Sequence, residues 1–195
     1  MADFTLSLRL TLKNEGHYSF NEIDRGGETY CGISRKSHPL WPGWQIIDTI
    51  NAEERSSLDQ VVVRKLSTHL DNFYYTEFWT RLHGDEIISQ AVANVVFDIA
   101  VNMGISTSVK FLQRACNSLG TNLKASDLVI DGIIGDRTIE RVNYLTTKVE
   151  NLYVLVKMLL FQQGMRYMDI MDKDHSQRIF CRGWINRVKY NEQVI

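Results

Sequence analysis

The chain has 195 residues, with 22 lysines and arginines against 23 aspartates and glutamates, so its formal net charge is −1. A chain of this length buries about 70% of its unfolded surface and needs no disulfide or metal to hold one compact domain. Hydrophobic residues make up 44% and charged residues 23%, which excludes a disordered chain. The near-zero charge provides no general attraction to nucleic acid or to an anionic membrane, and we expect neither as a partner.

The first residues, MADFTLSLRLTLKNEG, lack the basic and apolar regions of a secretory signal peptide. The longest apolar stretch, residues 152–161, is interrupted by Lys157 and is half the ~20 residues that a membrane span needs. Cys31, Cys116 and Cys181 lie far apart, which is typical of free thiols in a reducing compartment. We therefore expect a protein made in the cytoplasm without a signal peptide, and no membrane span.

The predicted elements begin with an ambiguous segment. Phe4, Leu6, Leu8, Leu10 and Leu12 alternate as in a strand, but Phe4, Leu8 and Leu12 also share one helical face. Because leucine, arginine and lysine favour helices, we predict a helix that ends near Glu15. Residues 15–50 hold both prolines and the Gly26-Gly27 pair, and we expect loop, turn or short hairpin there.

The pattern becomes helical from Asn51 onward. Asn51 and Glu54 resemble a capping box, and apolar residues then recur at three- and four-residue spacing. Further helices are predicted over residues 73–82, over 92–103 before Gly104, from a Ser106 cap to Gly120, from an Asp136 cap, and over 148–171. Residues 121–135 are predicted to be loop. The result is seven or eight helices with one irregular insert near the N-terminus.

Metal and nucleophile motifs are missing from the sequence. The histidines show no HExxH or HxxxH spacing, and no GxSxG elbow occurs. The GxxG steps match no nucleotide-binding fingerprint, so they are interpreted as tight turns. A metal held by Glu15, His17 and Asp24 is the minor alternative. We predict that the protein has no cofactor and no metal.

The remaining chemistry lies in a group of polar residues in the insert. Glu15 is followed by Asp24 and then by Thr29. Glycoside hydrolysis needs an acid to protonate the leaving oxygen and a carboxylate or positioned water on the other face. A carboxyl near a helix C-terminus stays protonated more readily, which suits Glu15 as the acid. The alternative is a turn residue at Asp24 and a solvated Glu15.

The stretch NEGHYSFNEIDRGGETYCGIS (14–34) resembles the signature of the glycoside hydrolase family 108 N-acetylmuramidases, also described as secretion activator proteins. Residues 96–120, the DGIIGDRTI segment (131–139) and GWINRV (183–188) resemble the peptidoglycan-binding domain that follows in this family. The resemblance implies a mainly α, lysozyme-like helical fold with a short irregular or β-turn insert near the N-terminus.

The resemblance implies that the protein would be a muramidase, which hydrolyses the β-1,4 bond between N-acetylmuramic acid and N-acetylglucosamine. Glu15 would be the general acid, Asp24 would stabilise positive charge or orient a water, and Thr29 would hold that water. His17 replaces the second glycine of the family's E-G-G-Y motif. The alternative is therefore a weakly active or non-catalytic peptidoglycan-binding protein that assists secretion or wall remodelling.

Substrate contacts are expected from aromatic rings and from one polar helix face. Tyr18, Tyr30 and Trp44 are candidates for stacking on sugars, with core packing as the alternative for each. Asn94, Asp98 and Asn102 share one face of an otherwise apolar helix at four-residue spacing. They are interpreted as lining the cleft or as tying this helix to the insert.

The chain divides, on this interpretation, into a catalytic region over residues 1–90 and a helical peptidoglycan-binding region over 91–195, packed as one compact unit. The expected partners are peptidoglycan glycan strands, with a holin or a secretion system for export. We expect a monomer that acts on the cell wall after export or lysis.

Overall fold

The computed structural model describes residues 1–13, 18–20, 27–120 and 126–189. Within these ranges the chain is mainly α-helical, with a small antiparallel sheet near the N-terminus, as predicted. In chain order, the α-helices and strands are α1 (Phe4–Leu12), β1 (Tyr18–Phe20), β2 (Glu28–Tyr30), β3 (Ile33–Ser34), α2 (Gly43–Asp48), α3 (Gln60–Tyr74), α4 (Gln90–Met103), α5 (Ile105–Leu119), α6 (Asp136–Leu145), α7 (Val149–Lys173) and α8 (Cys181–Arg187).

Short non-α turns connect several of these elements. A π-helical turn (Tyr75–Trp79) continues α3, and 3₁₀ turns cover Ala52–Ser57, Thr80–Leu82, Gly84–Glu86 and His175–Phe180. The predicted helix over residues 73–82 is therefore the end of α3 followed by π and 3₁₀ turns. The irregular insert contains the three strands and also α2, a short helix that the sequence patterns did not predict.

Helix α1 confirms the helical interpretation of the N-terminal segment. Asp3 caps it, since its side chain accepts a hydrogen bond from the Leu6 amide at 3.0 Å. Leu8 is buried in the core, whereas Leu6 is 46% exposed, so the buried stripe follows a helical period. The helix ends at Leu12, three residues before Glu15.

The three predicted helix caps are wrong. Asp136 is the first residue of α6, and Gly135 occupies the cap position before it. Asn51 precedes only a 3₁₀ turn and makes no side-chain capping bond, and α3 is capped instead by Asp59, which accepts from the Val62 amide at 2.8 Å. Ser106 lies inside α5, because Gly104 both ends α4 and precedes α5 with a φ of 89°. A positive φ of this size suits glycine, so Gly104 allows two helices to meet without a longer loop.

Helix α4 is the centre of the structure. Val92, Val96 and Ile99 are fully buried, and the helix packs against α1, α5 and α7. One apolar core therefore includes residues from the N-terminal segment through α7. The insert is attached to this core through Tyr74, whose hydroxyl donates to the Cys31 carbonyl at 2.7 Å.

The DGIIGD segment is a structural turn that packs on α5. Asp131 Oδ1 accepts from the Ile133 amide and from Gln113 Nε2, both at 2.9 Å. Gln113 Oε1 in turn accepts from the Gly132 amide at 3.0 Å. Because Gln113 is only 2% exposed, this buried amide holds the turn in place before α6 begins.

Candidate functional site

The two faces of the small sheet differ in chemistry. Tyr30 pairs with Tyr18 on β1 and with Ile33 on β3, and Tyr30 and Ile33 are buried. Thr29 pairs with Ser19 and with Ser34 in the same register. Because side chains alternate along a strand and directly paired residues share a face, Ser19, Thr29 and Ser34 form a row of hydroxyls on the face turned away from the core.

Thr29 occupies the middle of this row, on the central strand. It is half-buried, while Ser19 is exposed and Ser34 is half-buried. The hairpin that carries Thr29 is closed by the Phe20–Glu28 pair. Thr29 therefore presents its hydroxyl from a strand bonded on both sides, which limits how far the side chain can move.

A network of charged side chains holds this sheet against α2. Glu28 accepts a hydrogen bond from the Tyr18 hydroxyl at 2.8 Å and forms ion pairs with Arg35 at 2.5 Å and Arg55 at 3.2 Å. Arg35 also contacts Asp48 through two hydrogen bonds of 3.0 and 2.7 Å. Two carboxylates and two guanidiniums thus bring β2, α2 and the 3₁₀ turn after α2 together.

This network changes the acidity of its members. The Arg35 hydrogen bond holds the pKa of Asp48 below its usual range, although Asp48 is 51% exposed. Burial raises the pKa of Tyr18, and its hydrogen bond to Glu28 adds to the rise. Arg35 Cζ also lies 4.4 Å from the centroid of the Trp44 ring, which adds a cation–π contact. The charges of the network cancel, so it positions the sheet without leaving a net charge beside it.

The aromatic candidates differ in exposure. Tyr18 is half-buried at the edge of the sheet. Tyr30 is 4% and Trp44 2% exposed, and both belong to the core. Tyr30 stacks on Trp41 with ring centroids 5.9 Å apart, and Trp44 Nε1 donates to the His38 carbonyl at 2.8 Å. These contacts assign Tyr30 and Trp44 a packing role, and their part in sugar binding stays a prediction.

The three polar residues of α4 each join this helix to another one. Asn94 accepts from the Ser7 hydroxyl at 2.7 Å, which connects α4 to α1. Asp98 receives two hydrogen bonds of 3.0 Å from the Arg187 guanidinium at the end of α8. Asn102 accepts from the Tyr167 hydroxyl of α7 at 2.8 Å. Each therefore has a structural role, and their role in substrate binding stays a prediction.

Two of the three predicted catalytic residues, Glu15 and Asp24, lie outside the described residues, as does His17. In the sequence, Glu15 falls between the end of α1 and the start of β1, and Asp24 falls between β1 and β2. Thr29 is the member of the set that the structure describes. The structure also adds Arg35, Asp48 and Arg55, which no sequence pattern indicated because their charges follow no motif or period.

No group of three or more histidine, cysteine, aspartate or glutamate side chains is placed to hold a metal ion in the described part of the chain. Among the helices described, none combines the length and the apolar character needed to cross a bilayer.

Comparison with known proteins agrees with the resemblance seen in the sequence. Residues 8–104 match the family described as Glycosyl hydrolase 108, and residues 107–189 match the Predicted Peptidoglycan domain. The two matches meet at the junction of α4 and α5. No curated protein matches the chain.

Solved structures show the same fold. One is described as the structure of Brucella abortus SagA, with a TM-score of 0.60 and 20% sequence identity, covering 95% of this chain and 88% of that one. Its likeness is one of fold, while the family matches concern sequence. The family matches show that the chain belongs to the Glycosyl hydrolase 108 family, a family of peptidoglycan-acting hydrolases, and that its second half carries a Predicted Peptidoglycan domain.

Proposed function

We propose that this protein is an N-acetylmuramidase, which hydrolyses the β-1,4 bond between N-acetylmuramic acid and N-acetylglucosamine in peptidoglycan. The observation that carries the proposal is the place of Thr29, central in the hydroxyl row of Ser19, Thr29 and Ser34 on the outer face of the sheet. The match of residues 8–104 to a glycoside hydrolase family supports the reaction class.

Glu15 is the proposed general acid, which donates a proton to the oxygen of the leaving sugar. Asp24 stabilises the positive charge that develops on the other sugar or orients the attacking water, and Thr29 holds that water. A hydroxyl both donates and accepts hydrogen bonds, so the Thr29 oxygen can accept a hydrogen bond from one O–H of the water while a neighbouring carboxylate accepts a hydrogen bond from the other. The stereochemical outcome follows from the separation of the two carboxyls, about 5–5.5 Å for retention and 6.5–9.5 Å for inversion.

The proposed organisation keeps the catalytic region at residues 1–90 and the peptidoglycan-binding region at 91–195. The shared core around α4 favours one packed unit. Both family matches concern peptidoglycan or glycosidic bonds, so the cell wall is the proposed place of action. Export through a holin or a secretion system, and a monomeric state, stay predictions.

The test is hydrolysis of purified peptidoglycan sacculi. Wild type should release new reducing ends. When the products are reduced before acid hydrolysis, the sugar at the new reducing end becomes an alditol, and this sugar should be muramic acid rather than glucosamine. Glu15→Gln should abolish release, because the amide cannot donate the proton. Glu53→Gln is the matched control, since Glu53 is exposed in the 3₁₀ turn after α2.

The result also separates the alternative function. If wild type releases no more reducing ends than Glu15→Gln at any pH from about 4 to 8, a window that spans plausible acid pKa values, the muramidase proposal is wrong. Retained binding to sacculi in that case would identify a non-catalytic peptidoglycan-binding protein. Reducing-end glucosamine would instead identify an N-acetylglucosaminidase.

A further inference from the structure

Three grooves adjoin one another across the two family-matched regions. The first, of about 460 Å³, lies between the loop of residues 37–42 and α3. The second, of about 390 Å³, lies at the α4–α5 junction and shares His38 and Glu77 with the first. The third, of about 380 Å³, lies between α5 and α7 and shares Thr107 with the second. Because each groove shares lining residues with the next, the three form a series that runs from the hydrolase region to the peptidoglycan domain.

The groove between α5 and α7 has a distinct charge. Lys110, Arg114 and Arg166 line it, against one acidic residue, Asp169. The whole chain has a net charge of −1, so this excess of cations is local. By contrast, the single arginine of the second groove, Arg81, faces Glu77 at 3.7 Å. The third groove therefore offers a positive surface to an anionic ligand.

Apolar side chains occupy the same groove. On the long helix α7, Phe161 is 72% exposed and Met165 is 63% exposed. Large apolar side chains grouped at the surface commonly mark a binding site. The floor is fixed, because Gln162 Nε2 donates to the Phe111 carbonyl of α5 at 3.0 Å. Apolar and cationic groups are thus presented side by side on two packed helices.

Peptidoglycan carries both matching chemistries. Its sugars have apolar ring faces that pack on aromatic side chains, and its peptide stems end in carboxylates that pair with arginine and lysine. Every lining residue of the α5–α7 groove falls within residues 107–169, inside the segment that matches the Predicted Peptidoglycan domain.

We infer that the groove between α5 and α7 binds the carboxylates of peptidoglycan peptide stems through Arg114, Arg166 and Lys110, with Phe161 packing against the adjoining sugar or stem. The inference rests on the proposal that the protein acts on peptidoglycan. On this inference, the peptide stems of one peptidoglycan strand bind in the third groove, and the glycan of that strand extends past the second groove toward the hydrolase region.

The test compares binding to intact sacculi with binding to sacculi whose carboxylates have been converted to amides. Both are insoluble and keep the same architecture, so cosedimentation at low temperature measures the effect of the stem charge alone. Wild type should bind intact sacculi about tenfold more tightly than amidated ones, and this difference should shrink at high salt.

The charge-reversal variant is Arg114→Glu/Arg166→Glu, since both side chains are exposed and their replacement leaves the core intact. This variant should bind intact sacculi about tenfold more weakly than wild type does. It should also bind intact sacculi no better than it binds amidated sacculi. The matched control is Arg64→Glu/Lys65→Glu on α3, which makes the same charge change away from the grooves. Phe161→Ala should weaken binding to both kinds of sacculi, with Val61→Ala as its control.

Binding and hydrolysis are scored separately. Charge-dependent binding that is lost in the Arg114/Arg166 variant supports the inference even where wild type releases no reducing ends, in which case only the muramidase proposal fails. Equal binding by wild type and this variant overturns the inference and leaves hydrolysis untouched. Failure of wild type to bind intact sacculi also overturns it.

Discussion

Arg187, at the end of α8, holds the Asp98 carboxylate of α4 through two hydrogen bonds of 3.0 Å. The side chains are 8% and 17% exposed, so this pair joins the last described helix to the central one in a partly desolvated position. A guanidinium and a carboxylate in this two-bond geometry are among the stronger polar contacts in proteins. The residue predicted to contact substrate thus has a clear structural partner.

Asp98→Asn should lower the free energy of unfolding by about 1–3 kcal/mol, because the largely buried Arg187 guanidinium would then face a neutral partner. Urea denaturation measures the change. The exposed Asp127→Asn substitution is the control and should have little effect. A variant with unchanged stability but weaker binding to sacculi would show that substrate contact, rather than the link to α8, is the main role of Asp98.

Thr29→Val should reduce the release of reducing ends by about a hundredfold while leaving the fold intact, since valine keeps the branched shape and loses only the hydroxyl. Ser19→Ala removes the neighbouring hydroxyl on the same sheet face and should keep most of the activity. Reducing-end assays on both, with circular dichroism to check folding, test the proposed water-holding role. Full activity in Thr29→Val would contradict that role.

The acid stability of the sheet should depend on Asp48. Its pKa in the folded protein is lowered by Arg35, while an unfolded aspartate titrates near pH ~3.9. The pair therefore adds stability above that pH, and the contribution is lost as pH falls through the folded pKa. The effect should be a few tenths of a kcal/mol, because Asp48 is 51% exposed.

In the Asp48→Asn variant, the free energy of unfolding should therefore fall less steeply below pH ~4 than in wild type. Urea midpoints between about pH 2.5 and 7 measure it. Arg35→Gln should make the fall in the same pH range equally shallow, because it removes the guanidinium that lowers the pKa of Asp48. If stability falls with pH as steeply in both variants as in wild type, the Arg35–Asp48 pair is not the source of the acid dependence.

Cysteine reactivity should follow burial. Cys116 is fully buried, and burial raises its pKa to about 12, so its thiol stays protonated and shielded at neutral pH. Cys31 is also buried, whereas Cys181 is partly exposed at the start of α8. In the native protein a thiol reagent such as dithionitrobenzoate should label Cys181 first. Rapid labelling of the Cys181→Ser variant without denaturant would contradict this order.

The helical part of the fold was largely predictable. The apolar spacing of residues 92–103 predicted α4, and Gly104 and Gly120 marked helix ends that the structure confirms. The caps were less predictable, because whether Asn51 or Asp59 caps a helix depends on where the chain leaves the preceding element. Local residue types allow both choices, and tertiary packing selects one.

For the candidate site, the sequence by itself determined the family, the order of Glu15, Asp24 and Thr29, and the helical class of the fold. These depend on local motifs and on periodicity. Only the tertiary structure decided that Thr29 lies in a hydroxyl row, that Glu28, Arg35, Asp48 and Arg55 form one network, and that Asp98 meets Arg187. Those contacts join residues up to 89 positions apart, so they exist only after the core around α4 brings distant segments together.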